Sequence, residues 1–112
     1  MKDQMIIASI QMYSTGNKER NLQTMEKYLE HINKAFPNIK MVVFPELAAH
    51  GSISNMRKEA EVIPGELTSI FSNMANKYNL WLIPGSIHEK SDNEIFNTCL
   101  LYTSPSPRDL ST

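Results

Sequence analysis

Apolar residues crowd the segment from Met5 to Met12, where Ser9 and Gln11 alternate with apolar neighbours. That alternation predicts a first β-strand, rich in Ile and buried on at least one face. Ser14-Thr15-Gly16-Asn17 then reads as a turn, with Asn17 placed to cap a helix. Leu22, Met25, Leu29, Ile32 and Phe36 recur at steps of three and four, the period of an amphipathic helix, which Pro37 stops. Ile39 to Phe44 is a short apolar run with the character of a second strand. Pro45 to Ala60 carries Gly51, Ser52, Ser54 and Asn55 and no period, so it is expected to be irregular. Leu67, Ile70, Phe71, Met74 and Tyr78 mark a second helix, entered through Pro64-Gly65 with Glu66 at its positive end. Leu80 to Ile83 predicts a third strand, Lys90-Ser91-Asp92-Asn93 a hairpin turn, and Glu94 to Thr98 the start of a fourth. The order β-α-β-α-β-β places the chain in the α/β class, with strand–helix–strand units that imply parallel pairing.

Composition narrows the functional classes. The 112 residues suffice for one domain at most. Eleven basic residues balance twelve acidic ones, which argues against both a nucleic-acid footprint and a polybasic membrane patch. No apolar run approaches the ~20 residues of a spanning helix, and the N-terminus lacks the pattern of a secretion signal. A lone cysteine, Cys99, offers no internal disulfide, and a cytoplasmic location is expected.

The most informative side chain is Glu46. It follows an apolar strand through Pro45 and opens an irregular loop, the place where α/β proteins display functional groups. An apolar enclosure by Phe44, Leu47, Ala48 and Ala49 would suit that carboxylate to general-base work. On spacing alone, a solvated loop glutamate is the plainer alternative. His31 is expected at the surface of the first helix, and His50 and His88 as solvated loop and strand-end residues, with a pocket-lining position open to His50. The three are too scattered for a metal motif. Trp81 and the methionines read as packing, and Asn97 either orients a loop near the site or caps a strand end.

Five segments in order carry a family resemblance. They are Ala8-Ser9-Ile10-Gln11-Met12 and Val42-Val43-Phe44-Pro45-Glu46-Leu47, with Asn21 early in the helix between them. Ile63-Pro64-Gly65, Leu80 to Ile87 and Ile95-Phe96-Asn97-Thr98 complete the set. Together they resemble the N-terminal part of the nitrilase superfamily of carbon–nitrogen hydrolases. The resemblance implies a four-layer αββα sandwich and a Cys-Glu-Lys site without metal or cofactor, in which Glu46 is the acid/base. It further implies a small amide, carbamoyl or nitrile compound as substrate, and a homo-oligomer for the full-length protein. The family's lysine and cysteine motifs would follow the strand containing Asn97. Lys90 and Cys99 match neither, so the 112-residue chain itself is expected to be inactive. A non-catalytic α/β binding domain is the rival from another class, and a metal-ligand role for Glu46 a weaker third.

Residues Cys99 to Asp109 differ in character, with paired Pro and Ser and no apolar period. This string resembles the in-frame translation of a transposase-based sequencing adapter. On that expectation residues 1–98 are the hydrolase portion and 99–112 a non-native tail.

Overall fold

The computed structural model describes residues 4–51 and 56–103. Among these, the elements run β1 (Ile6–Ser9), α1 (Lys18–Ala35), β2 (Ile39–Val43), α2 (Met56–Glu59), α3 (Glu66–Tyr78), β3 (Trp81–Ile83), β4 (Ser86–Ser91) and β5 (Glu94–Cys99). β1, β2 and β3 form one parallel sheet in that order, with Val42 aligned to Ala8 on one side and Leu82 on the other. β4 and β5 pair antiparallel in a second sheet, turning at Asp92-Asn93 with Asp92 at φ 55°. The positive φ suits Asp better than most residues and gives a tight hairpin.

α1 begins where its sequence says it should. The Asn17 side chain accepts a hydrogen bond from the Arg20 N–H at 2.9 Å, which satisfies one of the helix's unpaired donors. Its Met25, Leu29 and Ile32 stripe is buried against α3, β2 and the core. α3 starts at Gly65, whose N–H donates to Thr68 Oγ1 at 2.7 Å, and presents Leu67, Phe71, Met74, Ala75 and Tyr78 inward. Val42 and Leu82 are fully buried with these helices, while the alternate residues Met41, Val43, Trp81 and Ile83 are half-buried. Because successive strand residues point to opposite faces, one face of the sheet is sealed by α1 and α3 and the other is only partly covered.

Several sequence expectations are corrected. β1 is shorter than the Met5 to Met12 run, and Ile6 and Ile7 are 52% and 51% exposed. It is an edge strand with only β2 beside it, so burial comes instead to Ala8, Ile10 and Met12. Phe36, the last apolar position of the helical stripe, is 53% exposed. It sits at the helix end, where the chain turns towards Pro37, and meets His31 edge-on instead of the core. Ser86–Ser91 forms a full strand in its own sheet, making five strands among the described residues. The segment expected to be irregular contains the short α2, while Ser52, Ser54 and Asn55 lie outside the described residues.

Past β5, Tyr102 exchanges two backbone hydrogen bonds of 2.8 Å with Leu82, and its ring meets Phe71 edge-on. Burial pushes its hydroxyl up to about 12, with Cys99 and Glu61 adding to the shift. Tyr102 thus lies against the sheet, while Leu101 and Thr103 are exposed and Ser104 to Thr112 fall outside the described residues.

Phe71 is fully buried and Phe36 half-exposed, so their truncations should diverge. Phe71→Ala is expected to cost about 3–5 kcal/mol and Phe36→Ala less than about 1 kcal/mol, read from urea unfolding midpoints.

Candidate functional site

β2 leaves the sheet through Phe44 and Pro45 into a turn spanning Glu46 to His50. The turn closes with the Gly51 N–H donating to the Leu47 carbonyl at 2.8 Å, and Leu47 adopts φ 51°. A positive φ at a leucine is uncommon and persists only where the surroundings hold it.

Those surroundings are specific. From α1, the buried Asn21 side-chain amide donates to the Ala49 and Thr15 carbonyls, both at 2.8 Å. Its oxygen accepts from the Thr15 N–H at 2.8 Å and the Thr15 hydroxyl at 3.0 Å. Ser14 Oγ donates to the Ala48 carbonyl at 2.8 Å. From β4, Ser86 Oγ accepts the Leu47 N–H at 3.0 Å. Gly85, at φ 84°, passes so close beneath that an added Cβ would lie 1.9 Å from the Pro45 carbonyl oxygen. Gly51, at φ 69°, is equally tight against the Thr15 carbonyl. Only glycine combines a positive φ with such a close approach of two backbones.

The Glu46 side chain projects from this clamped turn and is exposed, contrary to the apolar enclosure expected from its neighbours. Ala48 and Ala49 are buried, but they point into the core beneath the turn and not around the carboxylate. Its partner is Asn97 on β5, whose Nδ2 donates to Glu46 Oε2 at 2.5 Å. Of the two roles open to Asn97 in the sequence, the hydrogen bond selects the one near the site. Glu46 and Asn97 line a cleft of about 380 Å³ together with Val43, Phe44, Ile83, Gly85, Ser86 and Cys99. Its floor is the face of the parallel sheet that α1 and α3 leave open. The cleft thus pairs apolar walls with a convergent carboxylate and amide, the usual composition of a small-molecule site.

The histidines distribute differently from expectation. His31 is exposed on α1, as its position predicts. His50 and His88 are each only 5% exposed, so neither is the solvated residue anticipated. The turn folds back over β4 and brings their rings to 5.2 Å between centroids. The pairing joins residues distant in sequence, which no local spacing could reveal. Cys99 ends strand β5 and does not occupy the strand-to-helix elbow expected of a nucleophile. Lys90 is exposed near the far end of β4. Sequence reasoning missed the supports contributed by Ser86 and Gly85; the Pro84-Gly85-Ser86 string signalled a break but not what it would touch.

A family model described as carbon–nitrogen hydrolase matches residues 6–107. The chain is 35% identical over 97 residues to the omega-amidase NIT3 of Saccharomyces cerevisiae, covering 80% of this chain and 33% of that protein. It is 32% identical over 97 residues to the omega-amidase NIT2 of Danio rerio, covering 86% of this chain and 34% of that protein. The crystal structure of Saccharomyces cerevisiae Nit3, a member of the nitrilase superfamily, superposes with a TM-score of 0.82 at 31% identity. That superposition covers 91% of this chain and 41% of the Nit3 chain. The chain therefore spans about a third of the length of these curated relatives.

Replacing Gly85 by Ala should destabilise the protein by about 1–3 kcal/mol or more, through backbone collision and strain. Ser86→Ala, which removes one hydrogen bond, is expected to cost about 1 kcal/mol. Denaturant unfolding of both variants beside the parent protein checks the contrast.

Proposed function

This chain belongs to the carbon–nitrogen hydrolase family, and from that premise we propose that Glu46 is the proton carrier of a site that hydrolyses a small non-peptide amide or carbamoyl compound. The observation that carries the reading is the Glu46 carboxylate, fixed by Asn97 at 2.5 Å at the mouth of an apolar-walled cleft at the carboxyl end of a parallel strand. In this reading a cysteine thiol, supplied by sequence the 112 residues do not contain, gives its proton to Glu46 and attacks the amide carbon as a thiolate. Glu46 then hands that proton to the departing amine, and water cleaves the thioester. A lysine, likewise outside this chain, stabilises the oxyanion. No metal or cofactor takes part, and the complete protein works as a cytoplasmic homo-oligomer.

The same reading makes the 112-residue polypeptide inactive alone. An acid/base group contributes about 10²–10⁴-fold, and only when there is a nucleophile to activate. It also treats residues 99–112 as a translated adapter, with the hydrolase portion ending at Thr98. The exposure of Glu46 favours one rival, a non-catalytic α/β binding domain that presents the cleft to a ligand.

The source gene should be resequenced from intact DNA across the codons for Asn97 to Asp109, and the complete reading frame expressed. The expected outcome is a frame that runs past Thr98 and a product that releases ammonia from a small ω-amide. Glu46→Gln should lower kcat by about 10²–10⁴-fold, and the 112-residue chain should release none. A Glu46→Gln enzyme with undiminished kcat would sink the assignment. A genome that encodes Cys99 to Thr112 and a stop would give the binding domain precedence.

A further inference from the structure

The catalytic reading makes no use of the two buried histidines. His50 ends the turn that carries Glu46, and His88 lies on β4 directly beneath it. Among the described residues, both ring nitrogens of His50 and Nε2 of His88 are buried with no hydrogen-bond partner. Buried imidazole nitrogens ordinarily find partners, and orphaned ones call for an explanation. We propose that His50 and His88 form a proton-operated latch, closed when the rings pack together without charge and opened on acidification, which releases the Glu46 turn from β4.

The geometry supplies the physical basis. Two imidazolium rings at 5.2 Å would repel each other inside the protein, and no described acceptor awaits their extra protons. Burial, and then the charge of His88, hold His50 below its ordinary value of 6.5, and Lys18 acts in the same direction. Glu59 at the end of α2 and Glu61 act in the opposite direction. Glu61 is anchored beside β4, donating its N–H to the His88 carbonyl at 2.9 Å and accepting from the Lys90 N–H at 2.7 Å. These carboxylates favour the charged ring, but neither is a hydrogen-bond partner of His50. The bonds that would give way are the Leu47 N–H bond to Ser86 Oγ, which ties the turn to β4, and the Gly51 N–H bond to the Leu47 carbonyl, which closes the turn.

The sign follows from linkage. With His50 held low in the folded protein, the open and unfolded states bind more protons than the closed one as pH falls through 6.5. The closed state therefore keeps its full stability above about pH 6.5 and loses it as pH falls through the lower folded value. His50 sits at the hinge of the displayed turn, so opening moves Glu46 whether or not Glu46 is catalytic, and the latch does not depend on the hydrolase reading.

Hydrogen exchange on the 112-residue chain tests the latch, using protection factors corrected for the intrinsic effect of pH. Between about pH 7.5 and pH 5.5, protection of the Leu47 and Gly51 amides is expected to drop about tenfold or more and to stay below that of the core Leu29 amide, which reports global unfolding. His50→Gln and His88→Gln should each abolish that pH dependence. Unchanged protection at Leu47 and Gly51, protection there equal to that of Leu29 at pH 5.5, or a drop that persists in both variants would overturn the proposal. Should the variants not fold, the wild-type imidazole resonances decide. A His50 resonance that titrates below the ordinary histidine value of 6.5 supports the latch; one that titrates at that value refutes it.

Discussion

The buried amide of Asn21 is the interaction on which the rest of this molecule turns. One side chain on α1 bonds Thr15 before the helix and Ala49 in the turn after β2, with all of its bonds near 3 Å. It is almost wholly removed from water. An amide in that position has no substitute partner, so leaving any of its groups unpaired would cost the full desolvation penalty. The bond to Ala49 helps hold a turn in which a leucine adopts a positive φ. It also explains why α1, an outer element, has a direct hold on the segment that displays Glu46.

Three further constraints act on the same few residues. Gly85 and Gly51 let backbones approach at distances a side chain would forbid, Ser86 receives the Leu47 amide, and Asn97 reaches across from β5 to the carboxylate. The site is thus built from α1, the β2 exit, β4 and β5 together, and each element contributes through one short polar contact. Precision of this kind would suit the proton-transfer role proposed for Glu46, since the usefulness of such a group depends on position before it depends on acidity. The apolar packing of α1 and α3 on the opposite face of the sheet supplies the rigid base.

Four of the five described strands and both long helices were legible in the sequence because each is dictated locally, while β4 was not. Asn17 caps α1, Pro37 follows its end, and the stripes of Met25, Leu29 and Ile32 and of Leu67, Phe71 and Met74 fix which faces turn inward. Glu46 was singled out by its place after an apolar strand, which is again a local cue. What could not be read was exposure and partnership across the fold. Phe36 and Ile6 belong to apolar patterns yet face outward, because the first ends a helix and the second lies on an edge strand. His50 and His88 look like solvated polar residues in isolation, and only the return of the turn over β4 buries them. Asn97 had two equal readings until the register of the β4–β5 hairpin set it opposite His88 and within reach of Glu46.

The position of β1 has a practical corollary for anyone who handles this polypeptide. Among the described residues its outer edge has no strand beside it, and the strand carries Ile6 and Ile7 with no proline or charged side chain. Natural sheets usually blunt such an edge, because it templates the addition of another strand. Here the nearest gatekeepers, Lys2 and Asp3, lie before the strand and not within it. Raising the concentration of this chain should therefore favour pairing of one β1 with another, an association that follows from the open edge and not from any loss of the core.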